Sequence, residues 1–304
     1  MSTDSDDNVW FGLFLPQLRM SFDTILERTL AAEAAGFDSV WLMDHLAAPA
    51  APEWDTLEGW TLAAGLATRT SRIRLGHLVT CDPFRHPAVL AKMAATVDVL
   101  CNGRLELGLG WGSVDEELRT FGIDAGAAPE RAARLRETLE ILPRMFAGEP
   151  FDYSGTHFHL EGARGRPVPV QSRIPVHVGG AGPRLTMPLV RDFADWWNCP
   201  SYAADRLAEL RPLAGNARLS VQHPVGLASD AGERDEVGEI VARRFGGWGG
   251  VVTGTTREVA GALTADVELG ARGFVLQFHD FGAPATLERF MQEVAPAVRA
   301  AAAG

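Results

Sequence analysis

Eight strand-length apolar runs alternating with helical patterns, in a chain of 304 residues, predict an α/β fold of the (β/α)8 TIM-barrel type. The first four strand starts lie roughly 30 residues apart, the spacing of successive strand–helix units. The runs are apolar on both faces, as in Phe11-Gly12-Leu13-Phe14-Leu15 and Phe274-Val275-Leu276, which suits buried parallel strands. The rival is a doubly wound open sheet, weakened because no G-x-G-x-x-G fingerprint follows the first strand.

In chain order, Val9 to Pro16 forms the first strand. A helix from Ser21 to Ala35 stops at Gly36, a left-handed C-cap. Ser39 to Asp44 is the second strand, and a loop rich in Ala and Pro runs from Ala47 to Pro52. Helix 58–70, strand Ile73 to Thr80, helix 86–100 and strand Arg104 to Gly110 follow, with Asn102-Gly103 as the turn before the last. The rhythm then breaks for an insertion over about 113–173. It holds a helix from Pro129 to Phe146, with proline in its first turn, and an irregular hairpin over 151–171 turning at Tyr153-Ser154-Gly155-Thr156. Strands resume at Ile174 to Gly179, Asp195 to Cys199, Leu219 to Leu227 and Gly273 to His279. Thr255-Thr256-Arg257-Glu258 is a capping box opening the helix before the last strand. Residues 9–304 thus read as one barrel domain, preceded by an extended or disordered polar segment, 1–8.

Hydrophobic residues make up 46% of the chain and charged residues 22%, ample for a core and too apolar for general disorder. The net charge of −11 is the wrong sign for a nucleic-acid or anionic-membrane binder. Lys92 is the only lysine, so lysine chemistry is confined to one residue. Cys81, Cys101 and Cys199 offer neither a disulfide framework nor metal spacing, and no metal ligand set emerges. The first residues lack the basic and apolar runs of a signal peptide, and no run is long enough to span a membrane, so a soluble cytoplasmic protein is expected.

Barrel chemistry sits at the carboxyl ends of the strands. There the sequence places Asp44-His45, Thr80-Cys81, Gly110-Trp111-Gly112, His177-Val178-Gly179 and Gln277 to Asp280. Gly179-Gly180-Ala181-Gly182 precedes a helical pattern from Arg184 to Phe193, an arrangement whose free amides suit a phosphate. The competing reading is a turn that needs glycine only for its dihedrals. Gly108 to Gly112 reads as room for a flat ring at the barrel mouth. Asp44-His45 offers an imidazole for proton transfer beside a carboxylate, or else a helix cap and a surface histidine. Both can serve one pocket only if the strand has ended by His45. His157 and His159 read as hairpin residues, and the absence of G-x-S-x-G removes support for a serine hydrolase.

A series of segments in order resembles the luciferase-like oxidoreductases, and within them the branch using the deazaflavin coenzyme F420. They are Gly36-Phe37-Asp38-Ser39-Val40-Trp41 leading to Asp44-His45; Phe84-Arg85-His86-Pro87 with Lys92 to Asp98; Gly103 to Gly110; Pro175 to Gly182; and Asp195 to Pro200. The resemblance implies a ring held at the barrel mouth and a non-prolyl cis peptide at Leu78-Val79 supporting one ring face. It further implies that His45 is the catalytic acid/base, that Asp44 contacts the ring, and that Gly179, Gly180, Ala181 and Gly182 receive the coenzyme phosphate. Thr80, Gly110, Trp111, Gly112 and His177 complete the expected coenzyme contacts. A sugar-phosphate dehydrogenase of this type has glutamate at the position of Ser113 and phosphate-gripping lysines, which this chain lacks. Trp111 replaces a small residue and either narrows the pocket or stacks on the ring.

The expected function is hydride transfer between F420 and a small organic substrate. The alternatives are an FMN-dependent monooxygenase on the same barrel and a non-catalytic flavin-binding protein. Cofactor retention separates the first two, and turnover separates both from the third. No nucleic-acid or membrane partner is expected, and barrels of this kind often pair, which leaves a homodimer open.

Overall fold

The computed structural model describes residues 9–49 and 51–303, so the expectation for segment 1–8 lies outside the described residues. The strands are β1 (Trp10–Phe14), β2 (Ser39–Leu42), β3 (Arg74–His77), β4 (Thr80–Cys81), β5 (Leu105–Gly110), β6 (Phe151–Ser154), β7 (His159–Ala163), β8 (Val176–Gly179), β9 (Trp196–Cys199), β10 (Arg218–Leu227), β11 (Val252–Gly254) and β12 (Ala271–Phe278). Parallel pairing runs β1-β2-β3-β5-β8-β9-β10-β12 and returns from β12 to β1, which closes an eight-stranded barrel. The first helices are α1 (Phe22–Ala35), α2 (Gly59–Ala67), α3 (Pro87–Leu100), α4 (Asp115–Thr120), α5 (Ala128–Ala147) and α6 (Thr186–Phe193).

The expected caps form. Ser21 accepts from the Thr24 amide at the start of α1, Gly36 closes it at φ 97°, and the Thr255/Glu258 capping box opens helix Thr256–Glu268. Alternation along the strands then divides the core. Phe11, Leu13, Val40 and Leu42 face the helix layer, whereas Phe14, Trp41, Met43 and Val275 form a separate cluster with Trp10 and Leu78. Trp10, Trp41, His177 and Trp196 pack edge-on or stacked within 6.1 Å of one another, so the lower barrel is a solid aromatic layer. The open space begins above it.

Four details differ from the sequence expectation. The third strand does not run unbroken to Thr80: it stops at His77, passes through the Leu78-Val79 cis peptide and resumes as β4 beside β5. β11 was not foreseen; its three residues extend the sheet beside the far end of β10, too short to show a period. The hairpin turn lies later than Tyr153-Ser154-Gly155-Thr156, because Tyr153 and Ser154 still pair with Leu160 and His159. The Glu137 carboxylate accepts the amides of Thr156, His157 and Phe158, which places His157 in the turn rather than on a strand face. Finally, α4 forms where no helix was expected.

The insertion is tied to the barrel through Asp82, just beyond β4. Its carboxylate accepts from the Thr138 hydroxyl at 2.6 Å and faces Arg134 Nε at 3.2 Å, both on α5. Burial pushes the Asp82 carboxyl up to about 6, with Thr138 and Arg134 only partly opposing. An acid with a raised folded pKa binds more protons folded than unfolded, so stability falls as pH rises from about 4 to about 6 and levels off above. Asp82→Asn is expected to remove about 2 kcal/mol of the stability change between about pH 4.5 and pH 7.5. Urea denaturation of both proteins at the two pH values checks this; an unchanged difference would mean that Asp82 is ionised throughout.

Candidate active site

The carboxyl ends of β2, β5, β8 and β9, with the Leu78-Val79 bulge, enclose a cavity of about 510 Å³. Asp44, His45, Leu78, Val79, Gly110, Trp111, Gly112, Gly179, Gly180, Ala181 and Gly182 all line it. Two expected contacts do not reach it. His177 is 2% exposed, bonded through Nε2 to Glu106 at 2.8 Å and stacked on Trp196 in the layer below. It occupies an early strand position, and residues there fill the barrel rather than face its mouth. Thr80 is fully buried and is not part of the cavity wall.

The bulge dictates the glycines around it. A Cβ on Gly108 would lie 2.0 Å from the His77 carbonyl oxygen. On Gly110 and Gly179 it would lie 2.5 and 2.8 Å from the Val79 methyls. This glycine run therefore admits Val79, where the sequence suggested room for a flat ring. The Val79 side chain is wedged between β5 and β8, with Leu78 and Val79 together lining one wall of the cavity.

β2 ends at Leu42, so Asp44 and His45 both border the cavity, yet they do not pair with each other. Asp44 is 4% exposed. It accepts the Cys81 amide at 2.7 Å and both Arg85 terminal nitrogens, at 2.5 and 2.9 Å. That bidentate contact fastens the end of β2 to the turn before α3. Its partner is Arg85 rather than His45. His45 Nδ1 instead lies 2.8 Å from Glu117 Oε2 on α4, and the other Glu117 oxygen accepts the Leu46 and Ala47 amides at 2.6 and 3.2 Å. Burial raises the Glu117 carboxyl, but the His45 contact and the two amides outweigh it and hold it below the usual range. Glu117 escaped the sequence reading because its only signal is an acidic run, Asp115-Glu116-Glu117, which equally describes a solvated first turn.

On the same cavity, Gly180 adopts φ 127° and its carbonyl accepts the Trp197 indole N–H at 2.8 Å. The following helix begins at Thr186 rather than Arg184, and the amides of Thr186 and Met187 both return to the Gly182 carbonyl. The helix amides are thus engaged. Among the described residues the amides of Ala181 and Gly182 have no acceptor, and the Thr186 hydroxyl lies beside Gly182. Trp111 donates its indole N–H to Thr186 Oγ1 at 3.1 Å, with Arg131 over its ring. It lines the cavity beside Thr186. Cys81, Asn198, Tyr202, Arg206 and Gln222 complete walls that the strand-end reading left partly unassigned. Lys92 lies elsewhere, on α3, bonded to the Arg166 carbonyl. Among the described residues no helix is long and apolar enough to cross a membrane.

A parallel barrel with a carboxylate, an imidazole and a guanidinium bordering a cavity at the strand carboxyl ends has the architecture of a barrel enzyme. The chain belongs to the luciferase-like monooxygenase family, whose model matches residues 9–218. It is 36% identical over 185 residues to an F420-dependent glucose-6-phosphate dehydrogenase of Microbacterium testaceum (strain StLB037), covering 58% of this chain and 52% of that one. It is 29% identical over 232 residues to an F420-dependent hydroxymycolic acid dehydrogenase of Mycobacterium tuberculosis (strain ATCC 25618 / H37Rv), covering 76% and 62%. The chain thus spans about half the length of the first of these relatives. Its fold matches an F420-dependent secondary alcohol dehydrogenase in complex with an F420-acetone adduct, with TM-score 0.81 and 19% identity over 96% of this chain and 99% of that one.

Proposed function

We propose that the protein is an F420-dependent oxidoreductase acting on a small alcohol or carbonyl compound. One observation carries this reading: a single cavity is lined by an imidazole, a turn of unpaired amides and an apolar bulge. The donors fit the coenzyme. Ala181 and Gly182 amides and the Thr186 hydroxyl suit a phosphate, and Leu78 and Val79 offer an apolar surface for a planar ring. When bound, the deazaflavin supplies two-electron hydride chemistry.

The chain's own residues supply position and proton control. His45 Nε2 has no protein partner among the described residues and belongs to a cavity-lining side chain that is 27% exposed. It is the atom available to take a proton from a substrate hydroxyl or return it to a carbonyl oxygen. Trp111 lines the cavity, and with Ser113 in place of a glutamate and no lysine among its walls, the cavity differs from the sugar-phosphate pattern, Arg206 being the cation it presents. The resemblance to glucose-6-phosphate dehydrogenases therefore supports the coenzyme more than the substrate.

Titration of the purified protein with oxidised F420 and with FMN, followed by ring fluorescence, tests the coenzyme. Retention of F420 is expected; retention of FMN alone would replace this reading with the monooxygenase one. Gly180→Ala places a methyl 3.1 Å from Thr186 at a positive φ. It should weaken F420 binding about tenfold or more, while the ring and side chain without the phosphate bind nearly as before. Equal weakening of both would mean the turn does not hold the phosphate.

A further inference from the structure

A carboxylate only accepts hydrogen bonds, whereas a neutral imidazole donates through one nitrogen and accepts through the other. Glu117 is held as a carboxylate, and its Oε1 is already committed to two backbone amides. Oε2 faces His45 Nδ1 at 2.8 Å, so Nδ1 must carry a hydrogen whether the ring is neutral or charged. The other groups around the ring do not compete for it. Asp44 is filled by Arg85 and the Cys81 amide, and Glu58 faces Arg85 at 3.4 Å. We propose that Glu117 is a positioning residue that fixes the tautomer of His45, making Nε2 the one nitrogen that exchanges a proton with the substrate.

The proposal rests on the reading of His45 as the proton-exchanging group and adds to it a residue of the insertion. In the oxidising direction Nε2 would take the proton of the substrate hydroxyl, and the bound coenzyme would supply the two-electron acceptor that balances the loss of hydride from the carbinol carbon. The reverse direction returns both. A ring protonated on Nε2 cannot accept the first proton. The same carboxylate holds His45, Leu46 and Ala47, so the docking of α4 and the aim of the imidazole are one event.

Glu117→Gln separates charge and tautomer from shape. The two amides at Oε1 select the glutamine carbonyl, which turns its NH2 group toward Nδ1 and forces that nitrogen to accept. The neutral ring must then carry its hydrogen on Nε2. Histidine-labelled protein without coenzyme, examined by 15N NMR with the His45 signal identified by its loss in His45→Ala, reads this directly. Nδ1–H is expected in the wild type, Nε2–H in Glu117→Gln, and Nδ1–H again in Glu117→Asp, which restores an acceptor-only group. With coenzyme, Glu117→Gln should lose about 100-fold in kcat while coenzyme affinity changes less than about twofold. An unchanged tautomer in Glu117→Gln overturns the proposal and leaves the role of His45 standing, whereas Nε2–H in the wild type overturns both. A reversed tautomer with full turnover overturns it together with that role.

Discussion

His45→Ala is expected to lower kcat by about 10²–10⁴-fold while the coenzyme binds within about twofold of the wild type. The imidazole contributes little to the core: its side chain is 27% exposed, and Glu117 keeps both backbone amides when the ring is gone. The turn at Gly180 follows β8 and not β2, so the loss should fall on proton transfer and not on coenzyme capture. Steady-state kinetics beside an equilibrium titration distinguishes the two. Parallel loss of turnover and affinity would make His45 a structural residue of the β2 end.

The second large effect is on folding. Gly108→Ala sets a methyl 2.0 Å from the His77 carbonyl oxygen, which belongs to backbone held between β2 and β5 and has no rotamer to yield. The overlap should cost about 3 kcal/mol or more and lower Tm by on the order of 5 °C. Gly110→Ala is the informative contrast. Its methyl meets Val79 Cγ2 at 2.5 Å, a side-chain atom rather than backbone, so this variant should lose less stability than Gly108→Ala but displace Val79 toward Gly179, shift the bulge and weaken coenzyme binding. Thermal denaturation and the same titration check both. A Gly108→Ala protein as stable as the wild type would show that the two strands can separate at no cost.

The contrast between these residues shows what the sequence could reveal. Strand-length apolar runs, Gly36 and the Thr255/Glu258 box act locally, and each leaves a mark within a few residues; the barrel was legible from them. The cavity-wall position of His45 and of the 179–182 turn also followed from strand ends. What the sequence hid depends on approach through space. Asp44 turns to Arg85, 41 positions along, and His45 to Glu117, 72 positions along. Adjacency suggested that Asp44 and His45 would pair; alternating side-chain directions and the early end of β2 sent them to different partners. His177 was misplaced for a related reason, since one residue's height along a strand decides whether it fills the barrel or faces the mouth.

The clasp of Asp82 with Thr138 and Arg134 bears on how this scaffold could be altered. Any chimera that exchanges segment 113–173 for that of a relative removes Glu117, Thr138 and Arg134 in one cut, stranding a buried acid and releasing the imidazole. A transplant that keeps those three side chains would preserve both anchorage and proton handling while leaving the rest of the segment free to redefine which molecules enter.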